Sequence, residues 1–170
     1  RNFEEYISDQ SYLNCIVGRV CGRIANAQFN LNDHTYELFS NDGHHHQHGG
    51  RSGFNKKVWH IDSLDENSEE ISCELRYESP HLEEGYPGNL ECRTKYMLND
   101  NNEFIIKFYA TTDYDTLVNL TNHNYWNFHG HKKFYQKILE HCLEIHSCSY
   151  CEIDKNFIPT GKINNASNTK

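Results

Sequence analysis

The chain has 170 residues, a formal net charge of −8 and 36% hydrophobic residues. That length suits one domain of ordinary size, in which roughly 70% of the unfolded chain's surface can be buried. The acidic balance argues against a nucleic-acid partner or an anionic membrane, because either would require clustered Lys and Arg to neutralise phosphates. An uncharged small-molecule partner fits better. The 11 Tyr and 9 Phe carry much of the burial and favour strands.

The seven cysteines are odd in number and widely scattered. No hydrophobic signal segment or membrane-length apolar run precedes them. We therefore expect reduced thiols in a cytoplasmic protein that has no membrane partner.

The first third of the chain predicts short elements around a loop. Residues 3–7 space apolar side chains at i, i+3 and i+4, which predicts a short amphipathic helix. Apolar residues alternate over residues 25–31, and the turn 32–34 leads into residues 35–38, so this part predicts a hairpin. Residues 40–53 are rich in glycine and histidine, a composition typical of a loop that carries function.

The middle of the chain alternates apolar and polar residues over three segments, 71–78, 90–98 and 104–110, separated by turns. Further strand candidates are residues 58–61, 117–121, 142–145 and 157–159. Strands at short spacing with almost no helical periodicity predict an all-β antiparallel sandwich. We expect one domain over residues 1–163, followed by a disordered, Asn-rich tail over residues 164–170.

Polar, titratable and aromatic side chains concentrate around His123, within residues 119–130. The preceding strand candidate has one apolar and one polar face, and a histidine at the end of such a strand can face a cleft. A lone histidine is nevertheless more often a hydrogen-bonded surface or core imidazole. On these residues alone, both interpretations stay open.

Two segments rich in histidine or cysteine are candidates for a metal site. Their members are His44, His45, His46 and His48 in the loop, and His141, Cys142, His146, Cys148 and Cys151 near the end. A zinc site needs ligands at defined spacing, which neither segment has, so a solvated loop and small buried residues on a strand are the simpler interpretation. Phosphate loops, dinucleotide fingerprints and Gly-x-Ser-x-Gly turns are absent from the sequence. We expect no metal and no cofactor.

Six segments of the chain have the character of family motifs. In one-letter code they are GRVCGRI at 18–24, HQHGG at 46–50, GFNKKVW at 53–59, GYPGNL at 85–90, VNLTNHNYWN at 118–127 and IPTG at 158–161. In this order they resemble motifs of the aldose 1-epimerase (galactose mutarotase) family. The loop has Gln47 where the family usually has leucine. The matched order and spacing extend across nearly the whole chain.

The resemblance implies a galactose mutarotase-like supersandwich, here incomplete, and interconversion of the α and β anomers of free hexoses such as galactose or glucose. One group protonates the ring oxygen while another removes the proton from the C1 hydroxyl, without cofactor or metal. Carried over residue by residue, it implies that His123 is the general acid and His48 a second catalytic group. The sugar would be bound by Arg23, His48 and Asn122.

The family's general base is a glutamate, and a substrate-binding aspartate lies between it and the histidine; this sequence stops before both. Three interpretations stay open. The chain is part of a longer mutarotase-like polypeptide, or an inactive carbohydrate-binding or structural relic, or a metal-binding protein that uses the loop histidines and residues 142–151. An incomplete sandwich would also allow self-association through an exposed sheet edge.

Overall fold

The computed structural model describes residues 3–130 and 138–167 of the chain. By contacts it divides into two compact units, residues 1–123 and residues 124–170. The prediction of a single domain over residues 1–163 stays a prediction. None of the helices in the described part is long and apolar enough to cross a membrane.

Strands make up most of the regular structure. Among the described residues, the one α-helix is α1 (Phe3–Ile7), and the strands are β1 (Ile16–Val17), β2 (Arg23–Ile24), β3 (Gln28–Leu31), β4 (His34–Glu37), β5 (His46–Gln47), β6 (His60–Glu66), β7 (Glu70–Ser79), β8 (Leu90–Asn99), β9 (Phe104–Thr112), β10 (Thr121–Asn122), β11 (Ser149–Ile153) and β12 (Pro159–Asn165). All the paired strands are antiparallel. The predicted helix, the β3–β4 hairpin and the all-β antiparallel class are confirmed.

The largest sheet is a four-stranded meander in the order β6-β7-β8-β9. Its long strands follow the predicted alternation because one face is apolar and the other carries charges. On the apolar face, Cys92 of β8 packs with Ile16, Phe54 and Leu90 in a buried cluster. Within the described residues, β6 and β9 are the edges of this sheet, and self-association through an edge stays a prediction.

A second buried cluster lies beside the β3–β4 hairpin. It consists of Ala27, Leu38 and Tyr86, with Phe29 packed against it. Tyr86 belongs to the GYPGNL segment, which therefore fills the space under the hairpin.

Arg19 joins the start of the chain to the turn between β7 and β8. Its side chain is 2% exposed. The guanidinium donates hydrogen bonds to the carbonyl oxygens of Ser79, Pro80, Pro87 and Gly88 at 2.8–3.0 Å, and Nε donates to Ser79 Oγ at 2.9 Å. Because guanidinium offers five donors in a rigid plane, one side chain satisfies several buried carbonyls at once.

Several predicted boundaries differ in the structure. The candidate strand over residues 117–121 forms only β10 and an isolated bridge between Val20 and Asn119. Residues 142–145 form no strand; the strand lies further on, at β11, where it pairs with β12. β12 continues to Asn165, so the first two residues of the predicted tail pair with β11 instead of being disordered. Residues 168–170 lie outside the described part.

Candidate active site

Pairing of β2 with β5 brings the histidine loop against the GRVCGRI segment. Arg23 lies opposite Gln47, and the next residue, His48, forms two bonds with Gly22. The His48 backbone N–H donates to the Gly22 carbonyl at 3.0 Å, and the Gly22 N–H donates to His48 Nδ1 at 3.1 Å. The imidazole is therefore fixed by backbone on one side.

Gly49 allows this loop to approach the neighbouring segment. Its φ is +86°, and a Cβ built on it would lie 1.7 Å from the Gly18 carbonyl oxygen. Only glycine fits such a contact, because any other residue would place its Cβ inside that oxygen. This close contact explains why the HQHGG motif has a glycine at position 49.

His123 is held by the opposite strand pair, β1 and β10. Its N–H donates to the Cys15 carbonyl at 2.9 Å, and its carbonyl accepts from the Asn14 N–H at 3.0 Å. These two bonds extend the ladder in which Ile16 faces Asn122. The position of His123 thus depends on the segment just before β1.

The two strand pairs bring His48 and His123 together. Their ring centroids are 5.4 Å apart and the planes are perpendicular. The Tyr12 ring contacts both, with centroids 4.8 Å from His48 and 5.9 Å from His123. Two imidazoles and a tyrosine therefore form one polar and aromatic cluster.

The environment of His48 favours its neutral form. Burial, and then the positive charges of His123 and Arg23, lower its pKa from 6.5 to about 4, while Asp42 acts in the opposite direction. Because Nδ1 accepts the Gly22 N–H, the single ring proton lies on Nε2. At neutral pH, His48 is a hydrogen-bond donor through Nε2 rather than a protonated acid.

Arg23, on β2, is oriented by a carboxylate from the loop. Its Nε donates to Asp42 Oδ2 at 2.5 Å. Asp42 is itself held in a tight turn, in which backbone bonds connect it with His45. This charge-assisted bond fixes the stem of the guanidinium next to His48.

Two side chains clamp the backbone of the loop that carries His48. Asn41 accepts from the Gln47 N–H at 2.7 Å and donates to the carbonyls of Gln47 and Gly50 at 2.8 and 3.1 Å. Glu84 accepts the N–H groups of residues 51 and 52 at 2.9 and 2.8 Å. The loop is therefore tied at both ends.

Asn122, the predicted sugar ligand next to His123, faces elsewhere. Its Nδ2 donates to the Tyr96 hydroxyl at 2.9 Å, on the apolar side of the large sheet. Successive residues of an extended segment point to opposite sides, and here Asn122 contacts Tyr96 while His123 contacts His48 and Tyr12. A role of Asn122 in sugar binding stays a prediction. The structure brings His48, His123 and Arg23 together and leaves Asn122 apart from them.

The remaining histidines and cysteines of the candidate segments do not form a metal centre. His46 is fully buried, with Nδ1 on the Phe39 carbonyl at 2.8 Å and Nε2 on the Tyr86 hydroxyl at 2.7 Å. The rings of His44 and His45 contact each other at a tilt of 46°, and all seven cysteines are free thiols. Cys142, Cys148 and Cys151 are exposed, so the expectation that they are buried is wrong. Over residues 3–130 and 138–167, no three His, Cys, Asp or Glu side chains converge as metal ligands would.

Sequence reasoning missed Tyr12, Asn41, Asp42 and Glu84 as parts of this region. Asp42 and Asn41 had a signal, since they lie in the loop just before the histidines. Tyr12 had none, because nothing in the local pattern of residues 9–15 shows that this turn meets two distant histidines.

The sequence matches the aldose 1-epimerase family over residues 1–170. The aldose 1-epimerase of Haemophilus influenzae is 37% identical over 166 residues, which cover 98% of this chain and 47% of that protein. The galactose mutarotase of Bos taurus is 37% identical over 160 residues, or 94% of this chain and 44% of that protein. The chain spans about half the length of these curated relatives.

Two solved structures have the same fold. An aldose epimerase homologue from C. elegans superposes with a TM-score of 0.83 at 31% identity and covers 99% of this chain and 50% of its own. Galactose 1-epimerase from Lactobacillus acidophilus gives a TM-score of 0.79 at 25% identity, covering 99% of this chain and 48% of its own. The predicted galactose mutarotase-like antiparallel fold is thus confirmed, and the chain belongs to the aldose 1-epimerase family.

Proposed function

We propose that this chain carries the acid half of an aldose 1-epimerase site that interconverts the α and β anomers of a free hexose. The observation that supports it most directly is the perpendicular pair of imidazoles, 5.4 Å apart, beside Arg23. The names of the relatives point to galactose or another aldose as substrate.

His123 is the general acid in this proposal. It protonates the ring oxygen as the bond from that oxygen to C1 breaks, while a base takes the C1 hydroxyl proton and leaves an open aldehyde. After rotation about the C1–C2 bond, His123 takes back its proton as the same oxygen closes on the other face of C1. The base then returns its proton to the C1 oxygen.

His48 and Arg23 bind the sugar. With a pKa of about 4, His48 is neutral at the working pH and donates one hydrogen bond through Nε2. Arg23, oriented by Asp42, supplies fixed positive charge near the reacting oxygens. We assign the base to a carboxylate outside residues 1–170, as the family resemblance implies.

Polarimetry of freshly dissolved α-galactose and α-glucose tests the proposal, with and without the natural polypeptide. We expect faster mutarotation than in buffer. His123→Ala should lower the catalysed rate by about 10²- to 10⁴-fold, the usual contribution of a general acid. The matched control is His60→Ala, an exposed histidine of β6, which should keep the wild-type rate.

Three results would count against these assignments. If the wild-type protein does not accelerate mutarotation over buffer, the catalytic proposal is contradicted. If His123→Ala is as fast as the wild type, His123 is not the general acid. Loss of activity in both histidine variants would mean that substitution acts through folding.

A second candidate is an inactive carbohydrate-binding protein. It is supported by the neutral state of His48, which suits a hydrogen bond to a sugar hydroxyl as well as it suits catalysis. Calorimetry that detects galactose binding without any acceleration in the polarimeter would support this candidate over the enzyme.

We also propose a cytoplasmic location. The seven free thiols support it, because free cysteines persist in a reducing compartment. Cell fractionation with an antibody against the chain tests it.

A further inference from the structure

We propose that Tyr12 is a positioning residue for both imidazoles, holding His48 and His123 in their perpendicular arrangement and shielding His48 from water. The inference rests on the proposed function for its catalytic consequence. The structural part of the proposal concerns only the rings of Tyr12, His48 and His123.

The Tyr12 ring contacts both imidazoles. It meets His48 edge to face, at 65° between the planes, and lies nearly parallel to His123, at 26°. Edge-to-face and offset-stacked pairs are the two favourable arrangements for aromatic rings. One ring therefore makes a favourable contact with each imidazole, and both contacts favour the observed placement of the two rings.

Hydrogen bonds hold the backbone around Tyr12 in place. Asp9 Oδ2 accepts the N–H groups of the residues on either side, Ser11 at 3.1 Å and Leu13 at 2.9 Å. The Tyr12 carbonyl accepts from the Cys15 N–H at 3.3 Å, and Tyr12 has a φ of +58°. A non-glycine residue at positive φ needs such surrounding support.

The turn that carries Tyr12 is also connected to His123. Cys15, which ends the turn, accepts the backbone N–H of His123 at 2.9 Å. Tyr12 therefore reaches His123 through its ring and through the backbone of its own turn. A movement of the turn would displace the acid and its aromatic neighbour together.

The charged and titratable groups facing this cluster are few. Around His48 they are His123, Arg23 and Asp42, and around Tyr12 they are Cys15 and Asp42. Burial is the largest cause that keeps His48 neutral, and the Tyr12 ring is part of what buries it. Removing the ring exposes His48 to water and moves its titration toward the ordinary range of histidine.

The test compares Tyr12→Leu, which removes the ring, with Tyr12→Phe, which keeps it. In Tyr12→Leu we expect the NMR titration of His48, assigned through His48→Gln, to move up by about one pH unit. The acid limb of the pH profile of kcat should move in the same direction, and kcat should fall roughly tenfold, with a smaller change in KM. Tyr12→Phe should keep the wild-type His48 titration, acid limb and kcat.

The matched control is Tyr109→Leu, a half-exposed tyrosine of β9. It should leave the His48 titration in place. An unchanged His48 titration in Tyr12→Leu overturns the proposal, as does a loss in Tyr12→Phe equal to that in Tyr12→Leu. An equal shift in Tyr109→Leu also overturns it, since the effect would then be general loosening.

A measurement on the wild type covers the case in which Tyr12→Leu does not fold. Nuclear Overhauser contacts between the Tyr12 ring protons and those of both imidazoles support the proposal, and their absence overturns it. If the wild type does not accelerate mutarotation, the proposed function fails. The His48 titration in the variants then still decides the role of Tyr12.

Discussion

His46 and His48 are two positions apart, but the structure uses them differently. His46 has both ring nitrogens on protein partners, the Phe39 carbonyl and the Tyr86 hydroxyl, and is fully buried. Since a carbonyl only accepts, His46 carries its proton on Nδ1, whereas His48 carries it on Nε2. His46 thus belongs to the core, and His48 belongs to the cluster with His123.

The pH dependence of stability should report the buried state of His48. Its pKa of about 4 lies below the value of an unfolded histidine, so the unfolded chain binds a proton that folded His48 does not. The free energy of unfolding should therefore fall as the pH falls from about 6.5 toward about 4, and this contribution should be complete above that window. Burial lowers the pKa of His46 too, which adds in the same direction.

The variant His48→Gln isolates the contribution of His48 to the pH dependence of stability, because glutamine can still accept the Gly22 N–H. Urea unfolding at about pH 7 and about pH 5 should show a smaller loss of stability in the variant than in the wild type. His60→Gln, at an exposed site, should show the wild-type loss. Equal losses in wild type and His48→Gln would mean that His48 titrates normally in the folded protein.

At the scale of elements, the loop between β5 and β6 positions His48 of the HQHGG motif in the candidate site. β5 has only two residues, and the loop keeps its place through the side chains of Asn41 and Glu84 and through the absence of side chains at its glycines. Its conformation is therefore determined by close contacts rather than by a long ladder.

Gly49→Ala should be far more damaging than Gly43→Ala, although both glycines have positive φ. At Gly43 a new Cβ meets nothing within 4 Å, so the cost is the backbone conformation alone, about 1–2 kcal/mol. At Gly49 it meets the Gly18 carbonyl oxygen, and the loop must move, which we expect to cost more than about 3 kcal/mol. Urea denaturation measures both, and similar losses would show that the close approach is unimportant.

At the scale of the first unit, Arg19 connects parts that are far apart in sequence. The Arg19 guanidinium ties the segment between β1 and β2 to the turn before β8, and that turn carries Tyr86 and Glu84. Tyr86 then contacts the buried His46, and Glu84 holds the loop after His48. One buried cation thus supports the framework on which the histidine loop rests.

Arg19→Met should therefore destabilise the protein strongly. The variant leaves several buried carbonyls without donors, and each unsatisfied group costs about 1–3 kcal/mol, so we expect a loss of at least about 3 kcal/mol. Arg93→Met is the control, because the Arg93 side chain is 43% exposed and solvent weakens its ion pairs, so this variant should lose far less stability. Thermal or urea unfolding that finds equal effects would contradict the role of Arg19.

Much of the fold follows from local pattern. The alternation in β7, β8 and β9 depends on which residues face the apolar side, and each strand carries that information in its own sequence. The β3–β4 hairpin was predictable because its turn residues are local. Alternation did not reveal the bounds of the strand at residues 149–153, because this strand is mostly exposed and has no apolar face to produce a pattern.

The sequence by itself determined the family, the antiparallel sheet and the candidates His48, His123 and Arg23, because motifs and alternation are local properties. Tertiary structure alone decided that His48 is neutral, that Asn122 faces Tyr96, and that Tyr12 lies against both imidazoles. Protonation and side-chain contact depend on burial and charge supplied by residues far away in the chain, and no local pattern contains them.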